Sequence, residues 1–191
     1  MFRRYSILYI AMFFCSCEYV LTAEQLYEYI KDKDHGLYFE QKEGSSNITA
    51  YYKPSCLVAY NELLNQKGKE DSILNLYRNN YYFIVSISLD GQDLESVHAN
   101  AHDYGAVISE LSFSSDQWFS IDSGDKLIKP MEVVFPRNYG MSPASSFMLV
   151  FDKKELHALK TFKLKVNYPG TTNTSFIFNQ DDIKKTPSIK I

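Results

Sequence analysis

Apolar and polar residues alternate with a period of two along much of this chain, in short runs closed by Gly, Pro, Asn or Ser-Gly. The clearest run is "YYFIVSISLD", where Phe83, Val85, Ile87 and Leu89 share one face and Ile84, Ser86 and Ser88 share the other, with the two serines expected on the wet side. In "TFKLKVNY", Phe162, Leu164 and Val166 alternate with Lys163, Lys165 and Asn167, the signature of an antiparallel sheet with one wet face. "VISELSFSS", "QWFSIDSGDKLIKP", "EVVFPRNYG", "SSFMLVFD" and "NTSFIFNQ" read as further strands. Short strands with tight turns, and no regular alternation with helices, predict a mainly β fold: an antiparallel β-sandwich, Ig-like or related.

The exceptions lie mostly near the start. "TAEQLYEYIKDKDHG" opens with a Thr22–Gln25 capping-box pattern and ends at Gly36, so residues 17–35 read as a short helix or ordered tether that stands the domain off a membrane. "LYFEQKEGSSNITAYYKP" predicts a hairpin around a Gly-Ser turn, stopped by Pro54. One or two short helices follow it. "SCLVAYNELLNQ" sets Leu57, Tyr60 or Asn61, and Leu64 at helical spacing behind Ser55 as N-cap, and "ILNLYRNN" reads as a further helical turn. "KKELHAL" is expected to be a single turn at a sheet corner.

The run before residue 15 has a different character. Behind Arg3 and Arg4 it is apolar for about ten residues, enough for a signal-peptide core and short of the ~20 needed to span a bilayer. The stretch resembles a bacterial lipoprotein signal, in which the acylated cysteine follows a small residue. Cys17 follows Ser16 and is the better acceptor; Cys15 follows Phe14, too large for that slot. Ordinary cleavage after Ala23, in "VLTA", is the rival. Residues 1–16 are thus expected to be removed, with Cys17 acylated by palmitate-type chains and 36–191 folding as one domain. The product would keep one thiol, Cys56, which cannot close an intrachain bridge and reads as structural in "KPSCLVAY". "NIT" at Asn47 and "NTS" at Asn173 read as chance sequons.

Composition adds an unusual aromatic load, 15 Tyr, 13 Phe and one Trp in 191 residues. Charge is uneven: residues 150–191 hold 8 Lys against 4 acids, whereas residues 18–149 hold 10 basic against 19 acidic residues. The lysines of "FDKKELHALKTFKLK" are explained by the solvated sides of amphipathic elements, so no nucleic acid is expected as partner.

Candidate chemistry is sparse. Were "LESVHANAHDYG" helical, His98 and His102 would lie at i and i+4 with Glu95 one turn earlier, a partial zinc pattern. A complete site needs a further ligand, and a polar crossover between strands is the simpler reading, so no metal is expected. The sequence holds no G-x-S-x-G elbow and no phosphate loop, and Asp181-Asp182 complements a helix start. Neither an enzyme nor a cofactor is expected. Tyr81, Tyr82, Tyr104 and Tyr139 are candidates for a ligand-stacking mouth, with core packing as the alternative use.

The segments "DHGLYFEQKEGSSNITAYYKPSCLVA", "SFMLVFDKKELHALKTFKLKV" and "FIFNQDDIKKTPSIKI" resemble those of uncharacterised Bacteroidota, chiefly flavobacterial, envelope lipoproteins. Shared features are the lipid-accepting cysteine, a "YKP" motif after the first hairpin and a "D-I-x-x-x-P" ending; Asp34-His35-Gly36-Leu37 departs from the usual asparagine form. The resemblance implies location and fold and carries no activity. The expectation is a non-catalytic, lipid-anchored protein of the cell envelope, at the outer membrane, joined to the bilayer by its lipid and to another envelope protein by a sheet edge or face. The alternative is a small-ligand or glycan-binding lipoprotein accessory to uptake. A flat apolar patch separates the first from the second, which needs a concave aromatic pocket.

Overall fold

A computed structural model describes residues 20–99 and 102–190. The elements in chain order are β1 (Val20–Leu21), α1 (Ala23–Lys31), β2 (Tyr38–Glu43), β3 (Ser46–Lys53), α2 (Ser55–Val58), α3 (Tyr60–Asn65), α4 (Glu70–Tyr77) and β4 (Asn80–Leu89). There follow α5 (Leu94–Val97), α6 (Tyr104–Phe113), β5 (Phe119–Asp122), β6 (Leu127–Ile128), β7 (Glu132–Val134), β8 (Ser145–Asp152) and α7 (Lys153–Leu156). The chain closes through β9 (Thr161–Val166), β10 (Thr174–Asn179), α8 (Gln180–Lys184) and β11 (Ser188–Ile189). One antiparallel sheet runs β2-β3-β4-β8-β7 and a second runs β10-β9-β5-β6, while β1 and β11 form a short parallel pair. The two antiparallel sheets face each other as a sandwich, as the alternation predicts.

Period-two patterning decides which face each sheet buries. Tyr81, Phe83, Val85 and Ile87 of β4 are buried between the sheets, with Phe147, Leu149 and Phe151 of β8 beside them. From the opposite sheet come Phe162, Leu164 and Val166 of β9 and Phe176 and Phe178 of β10, and Lys163 remains exposed. The aromatic load is spent here. Phe83 lies 4.9 Å from Phe178, 5.8 Å from Phe162 and 6.0 Å from Phe151, ring centre to ring centre, in edge-on geometry that suits the ring quadrupoles. A second group joins Phe147 to Phe119, Phe135 and Trp118, with Tyr168 edge-on to the indole.

Gly44, at φ 57°, and Ser45 make the β2–β3 turn, and Pro54 ends β3. Edge strand β2 carries Glu40 and Lys42 on its solvent side, paired at 3.2 Å, charges that discourage strand addition there.

Four expectations change. The segment "VISELSFSS" lies largely in α6, because Tyr104, Val107, Ile108 and Leu111 fall at i, i+3, i+4 and i+7 and turn inward together; a short apolar run satisfies either period. Residues 20–35 hold the expected short helix, α1, but it packs on the sandwich and does not stand off from it: Leu26 and Ile30 are fully buried, and β1 pairs with β11. The Thr22–Gln25 capping box does form, with both reciprocal bonds present. Helix N-capping at Ser55 is replaced by Pro54, and the segment breaks into α2 and α3, burying Leu57, Ala59 and Leu63 and leaving Leu64 exposed. Ser88 is buried, its hydroxyl donating to the Gln92 carbonyl at 3.3 Å under the turn that follows β4.

Val85→Asp places an unpaired charge between the sheets, so urea melts should lose ~3 kcal/mol or more of stability. Ser175→Asp, on the exposed face of β10 directly opposite Lys165, should change it by no more than ~0.5 kcal/mol. Equal small effects would contradict the buried face of β4.

Candidate functional site

A partly buried polar cluster forms where α5, α6 and the loop after β7 meet. Asp93 caps α5, its carboxylate accepting from the Ser96 amide at 2.7 Å and from the Ser96 hydroxyl at 3.0 Å. The cap turns Glu95 inward to 5% exposure. There it meets Arg137, whose Nη2 donates to Oε2 at 3.1 Å and whose Nε lies 3.4 Å from both carboxylate oxygens. The Tyr104 hydroxyl completes the group, accepting from Arg137 Nη2 at 3.3 Å and facing Glu95 Oε2 at 3.5 Å. Bonding to Glu95 holds the Arg137 guanidinium above its ordinary value, so it stays charged. Its other side covers the ring of Tyr139, 4.6 Å away. Tyr139 itself is exposed and sits at φ 51°, a left-handed backbone that Gly140 continues.

Thus Glu95, Tyr104 and Tyr139 of the sequence candidates gather around one residue that sequence reasoning missed. A signal was present. Arg137 is the sole cation between residues 130 and 152, and residues 89–119 hold Asp90, Asp93, Glu95, Asp103, Glu110 and Asp116 with no Lys or Arg. The arrangement ties a loop to two helices.

The other candidates separate. Helix α5 ends at Val97, so His98 is its C-cap and His102 lies in a turn before α6, and the shared helical face required for a zinc pattern does not form. Among the described residues no three His, Cys, Asp or Glu side chains gather to hold a metal. Tyr81 is buried against Tyr52, its hydroxyl accepting from Gln180 Nε2, and Tyr82 is buried beside Tyr77 and donates to the Tyr77 carbonyl. Neither is at a pocket mouth. Cys17, the expected lipid acceptor, lies outside the described residues. Cys56 is half-buried, and burial pushes its thiol up.

The outward face of the five-stranded sheet has a different character. Cross-strand register aligns Tyr38, Tyr51, Ile84, Met148 and Val134 in one row over all five strands. Each is partly open to solvent. Tyr38 and Tyr51 stack with ring centres 6.3 Å apart, and burial pushes Tyr51 up to about 12. The next row, Glu40, Thr49, Ser86 and Ser146, is polar, with the two serine hydroxyls 2.8 Å apart. None of the five residues of the apolar row lines the depressions on the surface given below. Shallow depressions do exist, including one of ≈ 490 Å³ beside Asp93, Ser96 and Gly140 and one of ≈ 160 Å³ lined by His98, Trp118 and Tyr168.

No protein-family model matches the chain, and no curated protein is significantly similar to it. No helix among the described residues is long and apolar enough to cross a membrane.

Arg137→Ala leaves the Glu95 carboxylate buried without its cation and should lower the melting temperature more than Arg137→Met paired with Glu95→Leu, which removes both charges. An additive double-mutant cycle would show the pair to be uncoupled. At Cys56 the thiolate is the reactive form, so a raised thiol should alkylate more slowly than free cysteine at pH 8 and keep accelerating above pH 9. Rapid alkylation of native protein at pH 7 would contradict the burial.

Proposed function

We propose that this chain is a non-catalytic, lipid-anchored cell-envelope protein of the Bacteroidota lipoprotein kind, an interaction module held at the outer membrane by Cys17 and docked to another envelope protein. The observation that carries the docking role is the apolar row from Tyr38 to Val134, a strip across a complete sheet flanked by a hydroxyl-rich row. Apolar strips with polar borders suit protein partners. The anchor rests on the N-terminal sequence pattern: two arginines, a short apolar run and a small residue before Cys17. A ligand-binding role has one observation in its favour, the exposed Tyr139 ring backed by Arg137 beside a depression of ≈ 490 Å³.

In cells fed a labelled fatty acid, Cys17→Ala should abolish lipid labelling, while Cys15→Ala should leave labelling and membrane fractionation intact; the reverse pattern would move the acceptor to Cys15. Crosslinking in the native envelope should give a discrete adduct that Ile84→Lys paired with Met148→Lys reduces at least tenfold. Survival of the adduct in that variant would end the docking role of the row. If Tyr139→Ala removes a bound glycan instead, the ligand-binding reading takes its place.

A further inference from the structure

Several elements converge at one pole of the sandwich. The strand ends Lys53, Asn80 and Asp152 lie together there, since Lys53 pairs with Tyr82 and Asn80 with Asp152. Helix α4 leads into this pole and α7 leaves it, and the Lys153 amide donates to the Asn79 carbonyl at 3.0 Å. Between them is a depression of ≈ 400 Å³ lined by Arg78, Asn79, Lys153, Lys154 and His157. Among the described residues none of Arg78, Lys153 and Lys154 is within ion-pair distance of a carboxylate. The two acids of this turn have partners of their own, Asp152 within the turn and Glu155 outside it. Asp152 accepts from the Lys154 amide at 2.8 Å, and Glu155 reaches Lys126 at 3.0 Å. Glu70 and Asp71 sit at the far end of α4 from Arg78, about 12 Å along its axis. The Nδ1 of His157 faces the carbonyls of Lys153 and Lys154, at 3.2 and 3.0 Å; carbonyls only accept, so Nδ1 carries a proton, and the donors left for an anion are those of Arg78, Lys153 and Lys154.

The same pole carries the start of the described chain. Lys153 lies over the Tyr81 ring at 5.6 Å, Tyr81 bonds to Gln180, and Gln180 opens α8, which leads to β11 and its partner β1. Val20 follows Cys17 by three residues, a reach of at most about 11 Å. Toward the other end of β4, at Leu89, lie Asp90, Asp93 and Glu95, with Arg137 paired to Glu95.

We infer that the Arg78–Lys153–Lys154–His157 depression seats phosphate head groups of the anionic membrane into which the anchor inserts, an inference that rests on the anchored reading above. Unpaired cations are drawn to an anionic leaflet while the acids at the other end of β4 are repelled, so the two ends together set the domain's orientation on the bilayer.

The test uses the full chain carrying Cys17→Ala, so that acylation plays no part. Its partition onto vesicles of equal parts phosphatidylglycerol and phosphatidylcholine is compared with that onto phosphatidylcholine alone at ~50 mM salt. The apolar leader contributes to both, so the ratio is the readout. Arg78→Gln, Lys153→Gln and Lys154→Gln together should lower the ratio roughly a hundredfold, about fivefold per cation. Lys42→Gln with Lys129→Gln, away from the depression, should lower it by less than half as many steps, and all three cluster residues are exposed, so melts should match the parent. An unchanged ratio in the triple variant overturns the inference. Inorganic phosphate should displace the parent from the mixed vesicles more than chloride of equal ionic strength does, and displacement no greater than by chloride, the mark of diffuse attraction without a seat, also overturns it. Labelling of the unsubstituted chain at Cys17, measured separately, tells failure of the anchor from failure of the seat.

Discussion

The sandwich depends on the packing of Phe83. It sits on the central strand of the larger sheet with Tyr52 and Phe151 beside it in that sheet and Phe162 and Phe178 across from it. Those four rings come from four strands, so the position of one side chain couples β3, β8, β9 and β10. A one-residue slip of β4 would exchange Phe83, Val85 and Ile87 for Ile84, Ser86 and Ser88, burying hydroxyls and emptying the aromatic layer. The outer row is a consequence of the same constraint. With Phe83 inward, Ile84 must point outward, and antiparallel register then lines it up with Tyr51 and Met148.

Where a residue's fate follows from local periodicity, the sequence was legible. Strands β4 and β9 alternate cleanly, the hairpin turn carries its glycine, and the capping box of α1 lies within four consecutive residues. Helix α6 was not legible, because Val107, Ile108, Leu111 and Phe113 fit a strand nearly as well as a helix, and only the tertiary setting, which buries Leu111 and exposes Phe113, selects between them. The role of α1 escaped for a related reason: an amphipathic helix looks the same whether its apolar stripe meets its own domain or another surface. Ser88 is hidden by a turn that depends on Asp90 and Gly91 adopting positive φ, information that alternation does not contain.

The Glu95–Arg137 pair shows what long-range contacts add. Its partners are 42 residues apart, and the residues near Glu95 in sequence, His98 and His102, attract attention because they carry recognisable chemistry. The fold gives those histidines no common helical face and supplies instead a guanidinium from a loop. A segment rich in acids and free of cations must find a compensating charge elsewhere once it buries a carboxylate. Arg137 meets that requirement, and in doing so it holds Tyr104 and Tyr139 near each other.

Charge also differs between the two ends of β4. Asp90, Asp93 and Glu95 follow its Leu89 end, with Arg137 set against Glu95, while Arg78, Lys153 and Lys154 gather at its Asn80 end. The apolar row lies on neither pole; it crosses the broad face between them. Because cross-strand register carries the row over the strands, it runs at right angles to the line joining the two ends of β4, so the five partly exposed side chains form a band that neither end interrupts.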